Sequence, residues 1–307
     1  MAKAFSVARV FGPIAEAIKV LIRQLSYSYL DQRNLSASEA QLWADRFKKW
    51  PAIYAKKPYY KLVDIGFGLT VKAGLIDVIQ RSLVTDGVWD KKVLSQLYTY
   101  LKRGSTFIDI GANIGYFSLL ASHLVADEGI VLAVEPSRRA LSRLASNVQR
   151  NNLSNILIWS LAGGKDYSIR NLLQATPNNI GATSLISHVT PFAVESVSII
   201  PLDALFLALE IKPDVIKIDV EGFEYEILCG MKSTLGKYRP LVICEITNEW
   251  LENTGCSFSI ILEFMQALGY EAFTIDDNKS YTLSSLNSST ISNFSFQEEI
   301  VFIGNSK

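Results

Sequence analysis

Phe107-Ile108-Asp109-Ile110-Gly111-Ala112-Asn113-Ile114-Gly115-Tyr116 decides the fold of this chain. Apart from Asp109, the residues Thr106–Ile110 are apolar or β-branched, the composition of a strand buried on both faces. Gly111 and Gly115 carry no Cβ, so the backbone can turn sharply and a ligand can approach it closely. Asn113 between them tolerates a left-handed conformation and can hydrogen-bond a ligand. Tyr116-Phe117-Ser118-Leu119-Leu120-Ala121 then offers a helix with an apolar face to pack back on the sheet. Strand, glycine turn and helix in this order form a nucleotide-type site at the carboxyl edge of a parallel sheet. A tight turn with no ligand uses the same glycines, and that is the alternative for the motif alone. The spacing is G-x-x-x-G, not the G-x-G-x-x-G of dinucleotide sites, and Asp109 ahead of the first glycine would repel a pyrophosphate. A cofactor with a cationic end suits it.

Gly129-Ile130-Val131-Leu132-Ala133-Val134-Glu135-Pro136 repeats the pattern of an apolar strand ending in an acid. Glu135 is placed to accept two hydrogen bonds from a ribose diol. Its other reading is an acid at the start of the helix 138–150. A third strand is expected at 155–160, a looser segment rich in Gly, Asn, Ser and Thr at 162–190, and a short strand and helix at 196–200 and 202–210. Val215-Ile216-Lys217-Ile218-Asp219 is a fourth main strand with an acid at its end. A helix at 225–231, a strand at 241–246, a helix at 258–268 and strands at 270–275 and 299–304 follow, with a Ser/Asn-rich loop at 284–295. This alternation predicts a mostly parallel α/β sheet with right-handed crossovers. Asp109, Glu135, Asp219 and Glu245 then gather on one edge, where ligands of open parallel sheets sit.

Composition bounds the partners. With 30 basic and 30 acidic residues, the chain exerts no long-range pull on nucleic acid or anionic membrane. Cys229, Cys244 and Cys256 lack metal-ligand spacing and suit a reducing, cytoplasmic setting. Two histidines, His123 and His188, exclude a histidine-rich metal site, and no metal is expected. No stretch is long and apolar enough to span a bilayer. Residues 2–30 mix apolar residues at helical spacing with Lys3, Arg9, Glu16, Lys19 and Arg23, and lack the uncharged core of a secretory signal. They read as an amphipathic packing helix in preference to a membrane-surface helix. The chain divides into a helical and irregular lead-in, 1–85, and a domain, 86–307, that carries the glycine turn and the strand-end acids. The lead-in holds a capped helix start at Ser36-Ala37-Ser38-Glu39 and a pair of short strands joined through Gly66 and Gly68; a helix at 89–101 opens the second part.

The chain resembles the FkbM-type methyltransferases. The resembling residues are Asp109-Ile110-Gly111-Ala112-Asn113-Ile114-Gly115-Tyr116, Glu135-Pro136, Pro201-Leu202-Asp203-Ala204-Leu205, Ile216-Lys217-Ile218-Asp219-Val220-Glu221-Gly222-Phe223-Glu224 and Pro240-Leu241-Val242-Ile243-Cys244-Glu245. The first motif is shared by many methyltransferases; with the Lys217–Glu224 segment at this distance it is specific. The resemblance implies a Rossmann-like class I methyltransferase sheet of seven strands, the last antiparallel, and S-adenosyl-L-methionine as cofactor. It implies that the turn with Gly111, Asn113 and Gly115 holds the methionine part, with Asp109 close to its amino group, that Glu135 holds the ribose, and that the segment with Ala162 covers the adenine.

Methyl transfer from a sulfonium is an in-line displacement, so the protein must place the nucleophile and exclude water. For a hydroxyl nucleophile a general base helps. Asp219 and Glu221, at the mouth of the site, and His188, just after the loop 178–184, are the candidate catalytic residues, with Glu224 and Glu245 as further acids. Glu221 could equally cap the helix it precedes, and Lys217 could pair with a sheet acid. The expected acceptor is a hydroxyl of a sugar, glycolipid or secondary metabolite, a small molecule or glycan and not a nucleic acid. The alternative is a non-catalytic cofactor-binding or scaffold protein of the same fold.

Overall fold

The computed structural model describes residues 60–75, 77–174, 183–185, 191, 193–276, 281–286 and 297–305. The expected N-terminal helices, His188 and most of the loop 178–184 lie outside the described residues. A hairpin, β1 (Tyr60–Gly66) and β2 (Leu69–Gly74), leads to α1 (Val78–Asp86) and α2 (Lys91–Tyr100). The expected alternation follows: β3 (Thr106–Ile110), α3 (Tyr116–Val125), β4 (Ile130–Val134), α4 (Arg138–Arg150) and β5 (Ile156–Trp159). Next come β6 (Ala162–Gly163), β7 (Ser168–Gln174), β8 (Thr183–Ser184), β9 (Ala193–Ile200) and α5 (Leu202–Ala208). The rest is β10 (Val215–Ile218), α6 (Glu224–Gly230), α7 (Lys232–Tyr238), β11 (Leu241–Thr247), α8 (Asn248–Glu252), α9 (Phe258–Ala267), β12 (Tyr270–Asp276), β13 (Thr282–Ser285) and β14 (Gln297–Gly304).

Among the described residues the main sheet has eight strands in the order β13-β12-β14-β11-β10-β3-β4-β5. The five strands from β11 to β5 are mutually parallel, and β14 enters antiparallel between β11 and β12. The eighth strand is β13, whose Ser-rich sequence reads as the start of a loop; it pairs antiparallel with the edge of β12. The sheet is covered on both faces, and that is why its strands are apolar at nearly every position. Ile108, Leu132, Ile216, Val242 and Phe302 point to one side, against Leu202, Leu205, Leu228, Ile261 and Met265 of α5, α6 and α9. Phe107, Val131, Val215, Ile243 and Val301 point to the other, against Leu83, Leu97, Leu119, Leu120 and Leu144 of α1 to α4.

Two stretches differ from the sequence reading. The hairpin and α1, grouped there with the lead-in, share this second core: Val63, Val71, Ala73 and Leu83 are buried in it. The β2 backbone is tied to α4, with Thr70 and Lys72 N–H donating to the Asn151 and Asn147 side chains. The segment 162–190, expected to be loose, contains β6, β7 and β8, which join β9 in a second sheet of order β6-β9-β7-β8. β7 was hidden because its first four residues are exposed and the polar Gln174 is buried along with Leu172, so the period of two is not apolar against polar. Gln174 and Arg138 N–H both bond Glu195 of β9, which docks this sheet on the start of α4.

Candidate active site

The glycine turn is built as the sequence dictates. Gly111, Asn113 and Gly115 all adopt left-handed φ, at 78°, 51° and 89°. A Cβ on Gly111 would collide with the Asp219 carbonyl oxygen, and one on Gly115 with the Leu144 side chain. Gly111 and Ala112 N–H donate to Val134 O of β4, and Asn147 of α4 donates to Ile114 O at 2.9 Å. Gly115 then caps α3, with Leu119 N–H returning to its carbonyl.

The first and second motifs are joined directly. Glu135 accepts from Asn113 N–H at one oxygen and from Ser137 N–H at the other, both at 2.8 Å. Burial pushes its carboxyl up to about 7, against those two donors. Asn113 Oδ1 is buried with no hydrogen-bond partner, an acceptor left over beside the turn. A close backbone approach, a spare acceptor and a buried carboxyl beside the turn fit S-adenosylmethionine: Gly111, Asn113 and Gly115 would hold its amino-acid part and Glu135 its ribose. Ala162 is buried in β6, paired with Ile199, and packs into the core with α5.

Asp109 is not at the strand's end but inside it. Fully buried, it accepts from Ser118 Oγ of α3 at 2.5 Å and faces Lys217 Nζ at 3.5 Å. Lys217 is its register partner on β10. The ammonium also bonds Asp219 at 3.0 Å and lies over the Phe117 ring. Burial works against the Lys217 charge, but Asp219 and Asp109 more than offset it, so its pKa lies above the ordinary value. Lys217 therefore pairs with two sheet acids. Ser118 was missed because it reads as part of the apolar face of α3; a hydroxyl in the first turn of the helix that follows a strand acid was the available signal.

The other acids line the neighbouring strands. Asp219 and Glu245 each stand one residue beyond the paired Ile218 and Cys244, and Glu245 lies directly opposite Glu299 of β14. Burial first, then like charge, pushes Glu245 and Glu299 well above the usual carboxylate range. Asp90, the N-cap of α2, is raised by burial and bonded to Glu299. Asp219 keeps 28% of its side chain exposed. Glu221, in left-handed backbone at φ 52°, is raised well above the usual range by burial and by the charges of Asp219, Glu224 and Glu135. Glu224 starts α6; its Oε1 accepts from Gly222 N–H. Glu299 and Asp90 were not singled out from the sequence. The signal was present for Glu299: an antiparallel last strand brings its first residues to the edge where the parallel strands end.

A family model described as the methyltransferase FkbM domain matches residues 109–272, more than half of the 307 residues. A model for protein-L-isoaspartate(D-aspartate) O-methyltransferase matches residues 36–171. The chain is 28% identical over 115 residues to the 23S rRNA (uracil(1939)-C(5))-methyltransferase RlmD of Acinetobacter baumannii, covering 35% of this chain and 25% of that protein. It is 26% identical over 154 residues to a probable cobalt-precorrin-6B C(15)-methyltransferase of Sulfolobus acidocaldarius, covering 47% of this chain and 79% of that protein. The match thus spans only about a quarter of the rRNA enzyme's length. Among solved structures, methyltransferase FkbM from Methylobacillus flagellatus KT aligns with a TM-score of 0.41 and 16% identity, over 73% of this chain and 59% of that one. The matched span begins at Asp109 and holds the glycine turn, Glu135 and the Lys217–Glu224 segment, and the chain belongs to the FkbM methyltransferase domain family.

Proposed function

We propose that the chain is an S-adenosylmethionine-dependent methyltransferase that methylates a hydroxyl of a small molecule or glycan, such as a sugar, glycolipid or secondary metabolite. The observation that supports this acceptor class is the row of carboxyls beside the cofactor turn: Asp219, Glu245 and Glu299 on adjacent strands, with Asp90 against Glu299. When bound, the cofactor supplies an electrophilic methyl group on a sulfonium. The protein's share is to orient a hydroxyl, remove its proton and keep water out. Asp219 is the base in this reading, because 28% of its side chain is exposed and the Lys217 ammonium holds it in place at 3.0 Å. Glu221, whose carboxyl is pushed well above the usual range by burial and then by its acidic neighbours, contacts the acceptor in this reading. His188 stays a proposed contributor.

A nucleic-acid acceptor, named for one of the relatives, is the second reading. It would bring phosphates against this carboxyl row, with Lys217 as the cation in contact and that one 3% exposed. Phosphate binding needs exposed cations, so the geometry favours the hydroxyl acceptor.

The test has two stages. S-adenosylhomocysteine should raise the melting temperature of the wild type, and Glu135→Ala should abolish the rise. No shift at saturating ligand sinks the methyltransferase reading. A screen of hydroxylated acceptors with labelled cofactor then finds the substrate. On that substrate Asp219→Asn should lose about 10²–10⁴ in turnover while keeping the thermal shift. Undiminished turnover removes Asp219 as base.

A further inference from the structure

The turn between β10 and α6 carries a device that the reaction as described does not use. Two consecutive residues there, Glu221 and Gly222, have left-handed φ, at 52° and 95°. Glycine adopts this freely, but Glu221 is strained in it and needs the surroundings to hold it. The turn has three ties. At its start Asp219 N–H donates to Ile110 O of β3 at 3.1 Å. In its middle Ser184 Oγ of β8 donates to Glu221 O at 3.3 Å. At its end Glu224 folds its carboxyl back so that Oε1 accepts from Gly222 N–H at 2.8 Å. The last tie is the buried one. Glu224 is 2% exposed, and its second oxygen, Oε2, has no hydrogen-bond partner. Placing a carboxyl in such a site is costly, and a helix cap does not require it, since a solvated Ser or Asp serves that purpose.

We propose that Glu224 is the positioning residue of the acceptor-side turn: its carboxyl clamps Gly222 N–H, holds Glu221 and Gly222 left-handed, and so fixes how Asp219 and Glu221 face the acceptor. The proposal rests on the methyltransferase reading for what the turn serves, but the clamp itself does not depend on it. The geometry couples three parts of the site. Asp219 O sits where a side chain on Gly111 would have to go, so the clamped turn also forms the floor of the cofactor turn. Ser184 links it to the second sheet, and Arg170 of β7 lies over the ring of Phe223 beside Glu224. The titratable groups facing Glu224 are Asp219 and Glu221 of the turn, Cys244 of β11 and Cys256 ahead of α9. Both thiols are pushed up by burial and stay neutral near pH 7. Burial, with the charge of Asp219, pushes Glu224 up to about 7 against the Gly222 donor, so the clamp changes charge within an accessible pH range.

The experiment needs no acceptor. Glycine-selective ¹⁵N labelling of the full chain, with Gly222→Ala to assign the peak, follows the Gly222 amide from pH 5.5 to 8.5. S-adenosylhomocysteine binding is measured in parallel. In the wild type the Gly222 amide shift should titrate with a midpoint near 7. Glu224→Gln keeps an oxygen acceptor, so the amide should stay protected while its titration disappears. Glu224→Ala loses the acceptor, and amide exchange at Gly222 should quicken about tenfold, the loss of one buried hydrogen bond. Because the clamped turn forms the floor of the cofactor turn, Glu224→Ala should also weaken S-adenosylhomocysteine binding more than Glu224→Gln does. A Gly222 amide equally protected in the alanine variant overturns the clamp. A merely structural Glu224 would leave the glutamine variant as destabilised as the alanine one. Failure of the wild type to bind S-adenosylhomocysteine would overturn the methyltransferase reading and leave the clamp result standing.

Discussion

Replacing Gly111 by alanine separates two costs that meet at the cofactor turn. Gly111 has φ +78°, where an L side chain is strained. A Cβ there also collides with the Asp219 carbonyl oxygen, lies 3.0 Å from its carbonyl carbon and 3.2 Å from Val220 Cγ1. The Asp219 peptide cannot simply retreat, because its N–H is bonded to Ile110 O of the adjacent strand. Gly68, at the tip of the hairpin, is the control: its φ is +74°, and nothing lies within 4 Å of its missing Cβ. Left-handed strain costs about 1–2 kcal/mol at either position. Overpacking against backbone adds about 1–3 kcal/mol at Gly111 alone. Gly68→Ala should therefore lose about 1–2 kcal/mol and Gly111→Ala about 2–5 kcal/mol. For a domain of this size those losses lower Tm by roughly 3–6 °C and 6–15 °C, read by circular dichroism or calorimetry. The stronger contrast is functional: S-adenosylhomocysteine should still stabilise Gly68→Ala and no longer stabilise Gly111→Ala. Equal melting temperatures with equal ligand stabilisation would refute the reasoning, because the turn would then not depend on close approach of β10 to β3.

Cofactor affinity should depend on pH through Glu135. Its folded carboxyl is raised to about 7 from 4.5, so its proton stabilises the ligand-free protein at low pH and that stability is lost as pH rises through about 7. Ribose hydroxyls donate to the ionised form, so S-adenosylhomocysteine affinity should tighten with rising pH, up to about tenfold per unit, and level off above 7; calorimetry showing no such slope, or an unchanged slope in Glu135→Gln, would count against the ribose role. Lys217→Met leaves Asp109 buried beside Ser118 without its cation and should cost about 3–5 kcal/mol in urea unfolding, most of it recovered by adding Asp109→Asn. A double variant as unstable as the single one would show that the Lys217 stem, and not the charge pair, matters. Glu299→Gln removes one of two carboxyls set directly opposite each other and should stabilise the protein by about 0.2–1 kcal/mol at pH 8 and by less at pH 5. Destabilisation at pH 8 would mean that Glu299 makes a contact worth more than the repulsion.

The glycine-turn half of the candidate site was legible as local structure because its residues are close in sequence and each type has one local job. Gly111 and Gly115 turn the chain, Asn113 sits left-handed between them, and Glu135 follows the next strand by a fixed crossover. Local geometry accounts for these positions, and the sequence carries local geometry directly. Asp109 shows where this stops. From the sequence it is a strand-end acid open to a ligand; in the fold it is sealed between Ser118 and Lys217, because residue 109 points to the face that α3 covers. Which face a strand residue takes is set by parity, and parity could be counted; which helix then lies over it could not. β7 was missed for a related reason: its first half is exposed and its buried Gln174 is bonded to Glu195, so hydrophobic periodicity had nothing to report.

The acceptor half was harder to read because it is assembled by topology. Asp90, Asp219, Glu245 and Glu299 are scattered over more than two hundred positions and belong to a helix cap, two parallel strands and one antiparallel strand. In a parallel sheet only strand ends reach the working edge, so an acid at the start of a strand is ordinarily discounted. β14 runs the other way, and this reversal delivers Gln297, Glu298 and Glu299 to the edge where β10 and β11 finish. Glu298 is drawn off by Lys92 of α2 at 3.5 Å, and Glu299 is left facing Glu245 and Asp90. Glu299 is buried, Glu245 and Asp90 are half-buried beside it, and all three are pushed up by burial, so the wall holds protons as well as negative charge. Such a wall can donate to and accept from the same ligand, which suits a polyhydroxylated acceptor better than a polyanion. On this argument the last strand's direction, more than any single motif, sets the chemistry that the acceptor meets.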